Sequence, residues 1–272
     1  MPHAKRPRAF ALLTLLGVIF AQVPLLMAQE SPTLTAIVSR LERKNRQRLE
    51  ALRAFEGTRN YRLEYQGPFG NREAAMTVSV SYKSPDDKRF SIVAQSGSKF
   101  LFDHVLKGLL DGETEAATDE NQKKTALTTD NYDFSLLGTD QAPTGRQYVI
   151  AVTPKTDYKY LYRGKIWIDA SDYAVTRIEA EPSKSPSFWV KRSQVRHKYE
   201  KVEDFWLPEE NRTESWIRLG GHALLSIDYE NYKITDRLPL APLDGAAGAR
   251  NASLGIEWNE QTALLLTGFQ FK

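Results

Sequence analysis

Four histidines, His3, His104, His197 and His222, are the side chains whose ordinary pKa lies closest to neutrality. Imidazoles could ligate a metal or relay protons, but no two of them stand at metal-ligand spacing. His104 falls inside a helical apolar pattern, where a lid or core position is expected, and His222 follows Gly220-Gly221, a turn signal. The acid pairs Asp86-Asp87 and Glu209-Glu210 sit at turns, where solvated loop charges are the ordinary reading. There is no G-x-S-x-G elbow, phosphate loop or H-E-x-x-H. Cysteine is absent, which removes thiolate nucleophiles, cysteine zinc sites, disulfides and a lipid-bearing N-terminal cysteine. The expectation is a non-enzyme without catalytic residues, metal or cofactor.

The remaining candidate chemistry is binding. The formal charge of +3 resides in Lys5, Arg6 and Arg8; without them 34 cations face 34 acids, leaving no bulk electrostatic case for nucleic acid. Those three cations precede an apolar run from Ala9 to Ala28, the layout of a secretory signal, with a cut expected after Ala28. An uncleaved anchor is the rival, since the run is close to the ~20 residues of a spanning helix. Either way the rest is expected outside the cytoplasm, and a cleaved form to be periplasmic. Aromatic density around Tyr158, Tyr160, Tyr162, Trp167, Phe188, Trp189, Phe205 and Trp206 suits strands, and could also line a sugar or lipid groove.

The elements that would position these residues follow from periodicity. Leu34, Ile37, Val38, Leu41, Leu49, Leu52 and Phe55 share a helical face, with Ser31-Pro32 as a start and Gly57 as a stop. Arg40, Arg43, Lys44, Arg46 and Arg48 form the opposite face, expected in solvent, with anionic head groups or a partner protein as its other use. Period-two alternation then marks strands at Tyr61 to Tyr65, Met76 to Tyr82 and Phe90 to Ala94, linked by Gly67-Pro68-Phe69-Gly70 and Ser84-Pro85-Asp86-Asp87. Leu101, Phe102, Val105, Leu106, Leu109 and Leu110 predict a second helix ending near Gly112, and Glu113 to Asp130 reads as a polar mobile loop. Strands resume at Tyr132 and recur to Ile234, ten or eleven in all. From Pro239 to Gly248 the composition is that of a linker, and Leu254, Ile256 and Trp258 suggest a late strand. The expected division is thus a signal over 1–28, a main domain over 29–235 and an extension over 236–272.

The expected fold is mainly β, of the α+β kind: a large curled antiparallel sheet forming an incomplete barrel, with two amphipathic helices as a lid over its concave face. Its interior could be filled by side chains or kept as an apolar cavity, and periodicity does not separate the two. The stretch YLYRGKIWIDASDYAVTRIEA from Tyr160 to Ala180, with SPSFWVKR from Ser185 and FWLPEE from Phe205, resembles strand segments of the outer-membrane lipoprotein-sorting proteins, the LolA/LolB/RseB-like group. The likeness covers roughly Leu34 to Thr235 and is one of fold. It implies a periplasmic carrier of lipid or lipoprotein acyl chains, with a non-enzymatic, RseB-like sensor that binds an envelope membrane protein as the alternative. The implied cavity wall is Leu63, Tyr65, Met76, Val78, Val80, Phe90 and Ile92, beneath a lid carrying Leu101, Phe102, Val105 and Leu106; the same residues could equally be a dry core.

Overall fold

A computed structural model describes residues 32–240, apart from 69, 86, 117–118 and 186–187. The signal-like segment with its cut after Ala28, the Ser31 cap, the linker around Gly245 and the alternation at Trp258 lie outside the described residues. Helix α1 spans Leu34–Ala51 and starts at Thr33, whose hydroxyl accepts the Ala36 N–H at 3.3 Å. It ends six residues before the expected glycine stop, because Leu52 is already extended and opens strand β1, Leu52–Gln66. The register of β1 slips between Leu52 and Ala54, Ala54 and Phe55, and Glu56 and Thr58. These bulges let Leu52 and Phe55 both bury at a three-residue spacing, which imitates a helix in the sequence. Gly57 is therefore no helix stop. It lies under Tyr232, where a Cβ would stand 3.2 Å from the ring.

Strands β2 (Arg72–Lys83) and β3 (Asp87–Gly97) follow as hairpin partners. A helical segment comes next: a single turn α2 (Lys99–Leu101), a π turn (Phe102–Leu106) and α3 (Lys107–Ala116). Gly112 is buried inside α3 and does not end it. The expected mobile loop from Glu113 to Asp130 is instead the last turn of α3, helix α4 (Asp119–Thr125) and a buried Ala126-Leu127 step, with Asn131 Nδ2 donating to the Lys123 and Ala126 carbonyls at 2.9 Å. The polar composition there reflects internally bonded side chains, which a solvated-charge reading overlooks.

Seven more strands complete the sheet: β4 Tyr132–Ala142, β5 Gly145–Pro154, β6 Tyr162–Asp169, β7 Val175–Pro182, β8 Val190–Val202, β9 Phe205–Ile217 and β10 His222–Arg237. Two expected strands, at Phe205 and Thr213, are one; Pro208 fits because it faces Tyr199 at a register shift, where no ladder donor is needed. Their order is β3-β2-β1-β10-β9-β8-β7-β6-β5-β4, antiparallel throughout, so the sheet is a meander that is not closed. The last strand lies between β1 and β9, in the interior of the sheet. The edges are β3 and β4, and among the described residues neither has a second neighbour.

Cross-strand register carries one face through the whole sheet: Leu63 opposes Leu225, Leu225 opposes Thr213, Thr213 opposes Val195, Val195 opposes Ala180. Two apolar clusters form on that face. The first gathers Ile37 and Leu41 of α1 over Ile150, Ile166 and Ile178. The second gathers Leu101, Phe102, Val105, Leu106 and Leu109 over β1, β2 and β10. On β8 and β9 a buried polar row interrupts the apolar surface: Ser193 and Ser215 share a hydrogen bond of 2.8 Å, and Asn211 accepts from the Thr213 hydroxyl at 2.9 Å while its amide meets His197 Nδ1 at 3.0 Å. The basic face of α1 is not uniformly solvated. Arg48 is buried and donates to the carbonyls of Asp172 and Tyr173, which ties the end of α1 to the β6–β7 turn.

Candidate functional site

The largest departure from an ordinary core lies beneath α3. Arg59 lies on the covered face of β1 with Tyr61 and Leu63, where it stands in register between Val78 of β2 and Tyr229 of β10. Lys88 of β3 points to the same side, two residues before Phe90. From above, α3 lowers Glu113 between them. Arg59 Nη1 donates to Glu113 Oε1 at 2.8 Å and Oε2 at 2.7 Å, and Lys88 Nζ donates to Oε1 at 2.6 Å. The three side chains are 3%, 7% and 1% exposed for Arg59, Lys88 and Glu113. The Arg59 guanidinium lies over the rings of Tyr229 and Phe90, 5.1 and 5.4 Å from their centroids, and Lys88 Nζ lies 5.5 Å from that of Phe90.

Burial alone would pull Arg59 down and push Glu113 up, but each is overruled by the other's charge, so the pair stays ionised. Lys88 is the weak member. Burial, joined by repulsion from Arg59, outweighs the attraction of Glu113 and lowers its pKa to about 7. Burial likewise pushes Tyr61 up to about 12, and burial with the Arg59 charge presses His197 down to about 3, so that imidazole is neutral at any ordinary pH. His197 Nε2 and the Tyr229 hydroxyl have no hydrogen-bond partner among the described residues. One carboxylate thus bonds two buried cations beside the rings of Phe90 and Tyr229.

Lys88 gives the stability a pH dependence of definite sign. Between about pH 7 and its ordinary 10.5, the unfolded chain holds a proton that the folded chain lacks. Its favourable contribution is complete above 10.5 and is lost as pH falls toward 7. Urea unfolding midpoints are expected to climb from pH 7 to 10, and Lys88→Met to flatten that climb; equal slopes in the two proteins would show that Lys88 is not the source.

The residues expected to wall a cavity are brought together. Leu63, Met76, Val78 and Val80 form one buried cluster with Leu101, Phe102, Val105 and Leu106 directly over them. Tyr65 and Phe90 are half-buried at its margin. Ile92 is 41% exposed, at the mouth of a groove of about 630 Å³ between β3 and the π turn, lined also by Ala94, Phe102, Asp103 and Lys107. His104 lies on the outer side of the segment against Phe100, not in the core. A second groove, of about 460 Å³, lies among charged side chains that include Lys165, Glu179, Arg196 and Arg212. No cluster of three or more His, Asp or Glu able to hold a metal occurs among the described residues.

Periodicity did not single out Arg59, Lys88 or Glu113, although a signal existed. Arg59 shares the parity of Tyr61 and Leu63, Lys88 that of Phe90 and Ile92, and Glu113 follows Leu109 by one helical turn. Each is a charge on the apolar face of its element.

A model of a family of unknown function (DUF5686) matches residues 125–230. No curated protein matches the chain. Among solved structures the chain is similar to a LolA superfamily protein from Nitrosomonas europaea, at 13% identity and TM-score 0.33, over 77% of this chain and 96% of that one. It is similar to a DUF1329 family protein from Desulfovibrio piger, at 13% and 0.37, over 75% and 94%. It is also similar to a chain of the Pseudomonas aeruginosa MucA/MucB complex, at 10% and 0.23, over 71% and 92%. No residue's role carries over from likenesses of this order.

Proposed function

We propose that this chain is an exported, non-catalytic carrier that takes acyl chains of a lipid or lipoprotein into the second apolar cluster, with α2, the π turn and α3 as its lid. The observation that supports the reading is the nearness of the groove at Ile92 to the buried strand residues: Ile92 stands in register with Val78, a member of that cluster, and Phe102 belongs to both groove and cluster. An acyl chain entering there would gain about 0.8 kcal/mol for each methylene removed from water. Because Leu63, Met76, Val78 and Val80 already pack against Leu101, Val105 and Leu106, occupancy requires the lid to lift. The segment carries a π turn at Phe102–Leu106, an irregularity that recurs at functional sites. The signal-like N-terminus supports export to the periplasm.

The test is native mass spectrometry of the purified protein before and after organic extraction, followed by titration with a fluorescent fatty acid. Co-purifying lipid, or saturable uptake after extraction, is the expected result. An empty protein that takes up nothing would overturn the carrier reading. A sensor that binds an envelope membrane protein is the second reading, and one observation favours it: β4, an edge of the sheet among the described residues, exposes Leu136 and Leu137, a surface to which an extended segment of a partner could add as a strand.

A further inference from the structure

The strands alternate in direction, so the connections between them fall into two sets at opposite ends of the sheet. At one end are β2–β3, β4–β5, β6–β7 and β8–β9, whose described residues include Asp172, Glu203 and Asp204 and no lysine or arginine. At the other are β1–β2, β5–β6, β7–β8 and β9–β10, whose described residues include Lys155, Lys159, Lys184 and Arg218 against one acid, Asp157. Balanced total charge thus hides two ends of opposite sign. The basic end also holds Phe188 and Leu219, 75% and 59% exposed. We propose that this end is a docking rim for an anionic phospholipid bilayer: Phe188 and Leu219 enter the interface while Arg72, Lys184, Lys191 and Arg218 meet lipid phosphates. The proposal stands apart from the carrier reading and needs no movement of the lid.

The rim is continuous from one connection to the next. Ser183 Oγ donates to the Tyr158 carbonyl at 2.8 Å, joining β5–β6 to β7–β8. The Arg218 N–H donates to the Trp189 carbonyl at 2.8 Å, joining β7–β8 to β9–β10. A Cβ on Gly220 would stand 3.8 Å from Pro68, so β9–β10 approaches β1–β2. Beyond it, at the start of β2, the Arg72 guanidinium lies 5.5 Å from the ring centroid of Phe100 in α2, itself exposed. Cations and apolar tips are interleaved: the Arg218 guanidinium lies 5.3 Å from the centroid of Phe188, and half-buried Trp189 meets that ring edge-on, centroids 5.5 Å apart. Lys159 is paired with Glu115, whereas Arg72, Lys184, Lys191 and Arg218 form no ion pair among the described residues. Exposed aromatic and aliphatic tips among such cations match a surface that sets hydrocarbon beneath phosphate, which a bilayer does and nucleic acid does not. Each cation brought to an anionic bilayer strengthens partitioning roughly fivefold, and the acidic end is repelled, so docking has one orientation.

Because the chain lacks cysteine, a single introduced one reports a single place. Asn71→Cys at the rim and Thr144→Cys at the acidic end, both at exposed positions, each take a nitrobenzoxadiazole label that brightens on leaving water. With vesicles of phosphatidylglycerol and phosphatidylcholine the label at position 71 is expected to brighten and that at 144 to stay unchanged. Insertion of an apolar N-terminal segment alone does not produce that difference. The signal at 71 should fall in high salt and be weak on phosphatidylcholine alone. Lys184→Gln with Arg218→Gln should raise the lipid concentration at half-signal roughly twentyfold, about fivefold for each cation. Phe188→Ser with Leu219→Ser should raise it at least about tenfold. All four substitutions are at exposed positions, and unaltered urea midpoints show that the fold is kept; should either pair unfold, the two labels in the otherwise unchanged chain decide. No brightening at 71, equal brightening at both positions, an equal signal on phosphatidylcholine alone, or a folded pair of either kind that binds like the parent overturns the rim. Each of these results leaves the carrier reading untouched.

Discussion

Glu113→Ala is expected to lower the unfolding free energy by about 3–5 kcal/mol, because it removes a buried carboxylate that both Arg59 and Lys88 bond. Lys88 can shed its proton, at a pKa already lowered to about 7, but Arg59 cannot, so the cost remains at every ordinary pH. Against a typical total of ~5–15 kcal/mol such a loss is large. The informative companion is the triple replacement Arg59→Met, Lys88→Met and Glu113→Leu, which removes all three charges and is expected to be near neutral or stabilising. Urea unfolding of the two variants separates the penalty of removing the carboxylate alone from the net value of the ion cluster. A Glu113→Ala protein within about 1 kcal/mol of the parent would mean that Glu113 is not buried against the cations.

Leu106→Ala should cost about 2–5 kcal/mol, the range for truncating a fully buried leucine. It also opens a cavity of several methylenes directly beneath the lid. Acyl-chain binding is therefore expected to change with it, since the cluster that Leu106 seals is the one the ligand must enter. The matched control is Leu41→Ala on α1, equally buried but in the other cluster. It should lose comparable stability and leave acyl binding unaltered. Equal effects of the two substitutions on fatty-acid uptake would remove the second cluster as the binding region.

Periodicity made most of the sheet legible, and it failed where an irregularity or a distant partner decides the structure. Met76, Val78, Val80 and Tyr82 alternate cleanly because β2 is paired on both sides and half-buried. Leu52 and Phe55 misled because two bulges reproduce a helical spacing inside a strand. Glu113 was read with its polar neighbours as loop, since composition records charge and not the distant Arg59 and Lys88 that pair with it. Leu63, Met76, Val78 and Val80 are legible as apolar members of their strands, and the structure gathers them in one buried cluster. The groove at Ile92 was not legible, because it arises where an edge strand meets a helix and neither segment contains that relationship alone.

Placing β10 beside β1 also sets an order of events. Asn60 reaches Glu230 across 170 positions of the chain, and the whole ladder between these strands has similar separation. The hairpins over residues 52–97 can form early, yet they gain their central neighbour only when nearly all the described sequence has been delivered. Contacts so distant along the chain slow folding, since the entropy of closing the intervening length is lost before the pairing returns it. A polypeptide built this way leaves β1 without its second neighbour, and the sheet in two parts, until residues 222–237 are available to join them.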